Sequence, residues 1–137
     1  MRAIGLSALL LVAAATSRAD THAQAVDLFA SMTAALSEDN VPEFMKACDR
    51  EMPGYGQLRR GVAALLLESE IASSVEFLKD EGDDSRRSVD LDWYLELRSR
   101  QPAGPTRQRR QILHCELVKQ GKRWRIVALK PLSFFEP

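Results

Sequence analysis

The side chains best suited to acid–base chemistry are concentrated in two short segments, residues 90–96 and 114–116. They are Asp90, Asp92, Tyr94, Glu96, His114 and Glu116. Carboxylates, an imidazole and a phenol close together could move a proton to and from a bound substrate. The other histidine, His22, lies near the start of the expected mature chain, which leaves His114 as the only histidine that we expect inside the fold.

Both segments have the two-residue periodicity of a half-buried strand. Apolar residues occupy every second position of 89–97, and Leu113, Cys115 and Leu117 do the same further on. Successive side chains of a strand point to opposite faces, so all six candidates should lie on the solvated face, where cross-strand charge pairs are common. A β-bulge would reverse this alternation locally and turn Asp92, Tyr94 or His114 inward.

The elements that carry these segments follow from the rest of the pattern. Apolar spacing predicts a helix over residues 20–37, and Asn40, Pro42 and Glu43 predict the start of a second helix. A third helix should run from Gly56 to about residue 70. The expected strands cover residues 71–80, 89–98, 108–119 and 123–130. Helices followed by an antiparallel meander predict one α+β domain, with helices on one face of the sheet and the apolar tail 131–135 docked on it.

The N-terminus is typical of a secretory signal peptide. Arg2 precedes an apolar stretch over residues 4–15, and Ser17 and Ala19 are the small residues of a cleavage site. We expect residues 1–19 to be removed after Ala19, leaving residues 20–137 as the exported domain, periplasmic or secreted. No later apolar run is long enough to span a membrane.

Composition and the lack of known motifs give no reason to expect several kinds of binding and catalysis. Lys and Arg number 19 and Asp and Glu number 19, which gives no electrostatic reason to expect nucleic acid as a partner. No metal-ligand spacing, glycine-rich phosphate loop, nucleophile motif or dinucleotide fingerprint occurs, so we expect neither metal nor cofactor. Cys48 and Cys115 leave two alternatives open, a disulfide or two small buried apolar residues.

The chain resembles the nuclear transport factor 2-like superfamily, which includes SnoaL-type polyketide cyclases, ketosteroid isomerase and scytalone dehydratase. The resemblance rests on the element order, on the helix start at residues 40–44, and on the final hairpin at 119–127 with its Gly121, Trp124 and Ile126. It implies a cystatin-like cone of three N-terminal helices packed on a strongly curved antiparallel sheet.

In this family the cone encloses a pocket, and enzyme members carry acid–base residues on its inward face. Here that face is apolar, and the pocket would be lined by Met45, Phe77, Leu91, Trp93 and Cys115. We therefore expect a non-catalytic exported domain that binds a small apolar molecule or a protein partner, and that dimerises through the convex sheet face. The alternative is a small cofactor-free enzyme of the isomerase, dehydratase or cyclase type that uses Asp92, Tyr94 or His114.

Overall fold

The structure, a computed structural model, describes the chain from residue 2 to residue 137, with side chains from Asp20 onward. The expected leader and its cleavage site therefore lie outside the residues whose side chains are described. The elements are α1 (Arg2–Ser37), α2 (Val41–Met45), α3 (Tyr55–Glu68), β1 (Ser69–Gly82), β2 (Arg86–Ser99), β3 (Thr106–Gln120), β4 (Arg123–Lys130) and a 3-10 turn (Leu132–Phe135). No helix in the described part is long and apolar enough to cross a membrane.

The four strands form one antiparallel sheet in the order β1-β2-β3-β4. The helices cover one face, which we call the covered face; the other is the open face. On the covered face Leu91 pairs with Phe77 on one side and with Leu113 on the other. Alternate residues of β2 from Val89 to Leu97 are at most 1 % exposed. The predicted α+β class, with three helices on a curved antiparallel sheet, is confirmed.

Local sequence explains how the helices begin. The Asn40 side chain accepts a hydrogen bond from the Glu43 backbone N–H at 3.1 Å, and Pro42 lies in the first turn of α2, where its missing N–H leaves no bond unmade. This start was predicted correctly. Helix α1, by contrast, does not begin at residue 20: it continues to Arg2 as one helix.

The segment after β4 closes the end of the core, as predicted. Phe134 and Phe135 are buried, and Phe135 meets Phe44 and Trp93 edge-on at centroid distances of 5.3 and 5.0 Å. Arg109 holds the segment in place by donating to the carbonyl oxygens of Phe134 and Glu136 at 2.7 and 2.6 Å.

Candidate functional site

Trp93 is at the centre of the covered face. Its ring meets Phe29 and Phe135 edge-on at 6.0 and 5.0 Å, and its indole N–H donates to Ser73 Oγ at 2.7 Å. Edge-to-face contact is a preferred arrangement of aromatic rings, and the hydrogen bond satisfies the only polar atom of the side chain. Trp93 is therefore held on every side by protein.

The residues expected to line an apolar pocket are packed together in the same way. Leu91, Trp93 and Cys115 are each 0 % exposed, which means that none of them borders a space that would admit even a water molecule. Phe77 is half-buried against Phe29, and Met45 lines a separate cleft that opens between helices and sheet. A ligand among these side chains would have to displace well-packed core residues, which costs free energy in a close-packed interior.

The acid–base residues of β2 lie on the open face. Asp92 pairs with Ile112 and Tyr94 with Arg110, in the opposite phase to Leu91 and Trp93. The Arg110 guanidinium binds Asp92 through Nε at 2.9 Å and through Nη2, and this hydrogen bonding lowers the pKa of Asp92. Asp92 and Tyr94 line only a shallow depression of about 230 Å³. An ionised carboxylate already engaged by an arginine is poorly placed to act as a base.

His114 forms a small polar cluster on the same face. Its Nδ1 lies 2.6 Å from Asp90 Oδ1, its Nε2 lies 2.9 Å from Glu116 Oε1, and Ser88 Oγ donates to the same Glu116 oxygen at 3.2 Å. Asp90 and then Glu116 raise the pKa of His114. The imidazole thus favours its charged form between two carboxylates, and its side chain is 46 % exposed. The cluster can carry charge and exchange protons with solvent, but it lies on an exposed sheet surface.

Cys48 and Cys115 are free thiols in the structure, and both are buried, so the disulfide alternative is not the one observed. Burial raises the pKa of Cys48 to about 12 and raises that of Cys115 as well. A nucleophilic cysteine needs a thiolate, which an apolar environment disfavours. These thiols behave as small apolar core groups.

A carboxylate and a histidine do meet near the covered face, at a place that the alternation did not predict. The register of β1 shifts between Phe77 and Lys79, and this bulge puts Asp80 opposite the buried Val89. Asp80, only 8 % exposed, accepts a hydrogen bond from Arg87 Nε at 2.7 Å and contacts His22 Nδ1 at 2.5 Å. His22, from α1, also meets the Phe77 ring edge-on at 5.5 Å.

His22 thus contacts the sheet through Asp80 and Phe77, although its side chain remains 50 % exposed. One signal was available in the sequence: Arg87 lies in phase with Val89 and Leu91, and a buried arginine needs a carboxylate partner. In the described part of the chain, no group of three or more His, Cys, Asp and Glu side chains could hold a metal ion.

Known proteins resemble this chain in fold but not in sequence. No family model matches the chain, and no curated protein sequence matches it significantly. Solved structures do match. A Novosphingobium aromaticivorans protein with the provisional name scytalone dehydratase has a TM-score of 0.72 at 8 % identity, over 84 % of this chain and 85 % of that one.

Two further structures broaden the comparison. A hexachlorocyclohexane dehydrochlorinase from Novosphingobium barchaimii has a TM-score of 0.66 at 10 % identity, over 83 % of this chain and 86 % of that one. A Nostoc punctiforme protein of unknown function with a cystatin-like fold has a TM-score of 0.57 at 14 % identity, over 79 % and 86 %.

The chain shares the fold of these structures, one of which is described as cystatin-like, and this is the fold that the resemblance to the nuclear transport factor 2-like superfamily implied. Similarity at these identities establishes the fold alone. Because the neighbours include enzymes as well as a protein of unknown function, the fold alone does not decide activity.

Proposed function

We propose that this chain is an exported, non-catalytic nuclear transport factor 2-like domain that acts by binding at its outer surface. The observation that supports this most directly is the complete burial of Leu91, Trp93 and Cys115 at the centre of the covered face. An enzyme of this fold class needs room for a substrate beside its acid and base, and these side chains occupy that room.

The partner that the open face suits is a second copy of the chain. Ile112 is 60 % exposed there, between Arg110 and the His114 cluster on the same strand. A two-fold axis at Ile112 would pack the two isoleucines together and bring each Arg110 against the Asp90 and Glu116 carboxylates of the other copy. Arg110 already binds Asp92, but its side chain is 67 % exposed, so part of the guanidinium is left for this contact. Charges arranged in this way favour correct pairing and fast association.

Sedimentation across micromolar concentrations tests the dimer. Ile112→Glu would place two carboxylates at the two-fold axis and should shift the mass to that of a monomer, because like charges facing each other are destabilising. Leu67→Glu is the matched control: Leu67 is 80 % exposed, but it lies on α3 and not on the sheet. A native chain that is monomeric throughout, or an Ile112→Glu variant that remains dimeric, contradicts the proposal.

N-terminal sequencing tests the proposal that the chain is exported. Protein recovered from outside the cytoplasm of the native host should begin at Asp20 on N-terminal sequencing, since Ser17 and Ala19 supply the small residues of the cleavage site. A recovered chain that still carries residues 1–19 contradicts export by cleavage.

A second candidate, a small cofactor-free enzyme, is favoured by one observation: the His22 and Asp80 side chains in contact at the edge of the covered face. A histidine oriented by a carboxylate is a common general base, and two of the structural neighbours carry the names of enzymes. Chloride release from hexachlorocyclohexane is a direct assay. Activity in the native protein that is lost in His22→Gln supports this candidate, and no release above buffer contradicts it for that substrate.

A further inference from the structure

A sizeable cleft lies outside the packed interior of the cone. It is a cleft of about 750 Å³ between the α2–α3 connection and the β3–β4 turn. Its charged lining residues are Lys46, Asp49, Arg50, Arg59 and Arg125. Four cations thus face one carboxylate, although the chain as a whole has 19 basic and 19 acidic residues. The imbalance is local, and a local excess of positive charge in a concave site attracts anions.

Two of the four cations are already engaged. Lys46 Nζ lies 2.9 Å from Glu43 Oε2, and Arg125 Nη1 donates to the Lys46 carbonyl oxygen at 2.8 Å. Within the described part of the chain, the Arg50 and Arg59 guanidinium groups have no hydrogen-bond or ion-pair partner. They are the groups left to receive an outside anion. A guanidinium binds carboxylate and phosphate oxygens in pairs, with strong charge-assisted hydrogen bonds.

The single carboxylate in the cleft does not neutralise these two arginines. Asp49 accepts hydrogen bonds from the Gln120 side-chain amide and from the Glu51 backbone N–H, and these bonds lower the pKa of Asp49. The carboxylate is therefore ionised at neutral pH and is used to tie the β3–β4 turn to the α2–α3 connection. The charge of Arg125 also lowers the pKa of Asp49.

The walls of the cleft are joined by backbone hydrogen bonds. Ile126 N–H donates to the Ala47 carbonyl and Asp49 N–H donates to the Ile126 carbonyl, both at 2.8 Å, so the chain after α2 runs as a short parallel bridge beside β4. A site with fixed walls loses little conformational entropy when a ligand enters.

The cleft also has an apolar part. Met45, which is 3 % exposed, lies at its inner side, and Pro42 and the half-buried ring of Tyr55 complete this surface. We propose that the cleft binds a small organic anion whose oxyanion head group pairs with Arg50 and Arg59 and whose apolar body lies against Met45 and Tyr55. The volume is in the usual range of small-molecule sites, about 300–1,000 Å³.

This site goes beyond the proposed function and is independent of it. None of the cleft residues lies on the open face around Ile112, and neither His22 nor Asp80 lines the cleft. Loss of the dimer would leave the anion site in place, and loss of anion binding would leave the dimer in place. The two proposals therefore fail separately.

Isothermal titration of the purified protein with four probes tests the proposal. The probes are 1-naphthyl phosphate, 1-naphthoate, inorganic phosphate and uncharged 1-naphthylmethanol. We expect at least one naphthyl anion to bind, and to bind more tightly than either inorganic phosphate or the uncharged alcohol. Whichever naphthyl anion binds better identifies the head group as phosphate or carboxylate.

Arginine variants locate the site. Arg59→Gln and Arg50→Gln should each weaken binding about tenfold, as expected for the loss of a charged hydrogen bond. Arg60→Gln is the matched control, because Arg60 is the exposed neighbour of Arg59 on α3 and does not line the cleft. The proposal is overturned if neither naphthyl anion binds, if the alcohol or inorganic phosphate binds as tightly as they do, or if Arg60→Gln weakens binding as much as Arg59→Gln.

Discussion

Replacing Asp80 by Asn is the sharpest test of the bulge in β1. Asp80 and Arg87 are only 8 % and 9 % exposed, and their contact is 2.7 Å long. Loss of the carboxylate charge leaves a buried guanidinium without its bonded carboxylate, an effect of about 3–5 kcal/mol. The charge of Asp83 still interacts with Arg87. Arg87 Nη1 keeps two longer hydrogen bonds, to Thr21 Oγ1 and to the Asp83 carbonyl, both 3.3 Å. We therefore expect a loss at the lower end of that range, about 3 kcal/mol.

Urea unfolding followed by circular dichroism measures this loss. With a slope of about 1.5 kcal/mol per molar urea, Asp80→Asn should lower the midpoint by about 2 M. The matched control is Asp92→Asn, which breaks the contact between Asp92 and Arg110 on the open face. Arg110 is 67 % exposed and water can replace its partner, so that midpoint should not change measurably.

A second variant separates the buried charge from a general loss of packing. Asp80→Asn combined with Arg87→Met removes both charges and should recover part of the lost stability, because the unpaired guanidinium is the main penalty. The reasoning is refuted if Asp80→Asn leaves the midpoint unchanged, or if Asp92→Asn lowers it equally. The first result would mean that Asp80 is solvated, as unbroken alternation along β1 would place it. The second would mean that burial of the ion pair does not determine the size of the loss.

Three further predictions concern the Ser73 hydroxyl, the two buried cysteines and the His114 imidazole. Ser73→Ala should destabilise the fold by about 1–3 kcal/mol in urea unfolding, because the indole N–H of Trp93 loses its acceptor in a buried site. Both cysteines should resist a thiol reagent in the native protein and titrate fully in urea, since burial raises their pKa values. NMR titration should give His114 a pKa above 6.5, so its stabilising contribution should be complete below pH 6.5 and disappear as pH rises through the higher native value.

A specific result would contradict each of these three predictions. A Ser73→Ala variant as stable as the native chain would mean that the indole N–H finds another acceptor. Absence of thiols in denatured protein recovered from its native compartment would mean that the two cysteines are bridged there. Asp90→Asn should lower the pKa of His114, because the Asp90 hydrogen bond is the largest cause of its increase, and no change would remove that explanation.

The sequence predicted the elements well wherever one local rule decides. Alternation between Val89 and Leu97 is unbroken, and those residues are buried in the structure as that pattern requires. The start of α2 was readable because Asn40, Pro42 and Glu43 each satisfy a separate requirement of a helix N-terminus. These features depend on near neighbours along the chain.

The site was harder to predict, because it depends on contacts between distant segments. The bulge between Phe77 and Lys79 shifts the phase of β1, and nothing in its mixed polar and apolar pattern marks the extra residue. His22 and Asp80 come together only because α1 packs beside the shifted end of β1. The cleft also depends on distant segments. Arg50 and Arg59 lie in segments with the polar pattern of solvated surface, and that pattern does not indicate that the β3–β4 turn lies beside them.

Closure of the core by Leu132–Phe135 means that residues 131–136 are needed to complete the fold. Phe135 packs on Trp93 and Phe44, and Arg109 of β3 is bonded to the carbonyls of the same short turn. Without residues 131–136, Trp93 and Phe44 lose their contact with Phe135, and part of the apolar covered face of the sheet is exposed to solvent. We therefore expect a variant that stops at Lys130 to be less stable and more accessible to chaperones and proteases.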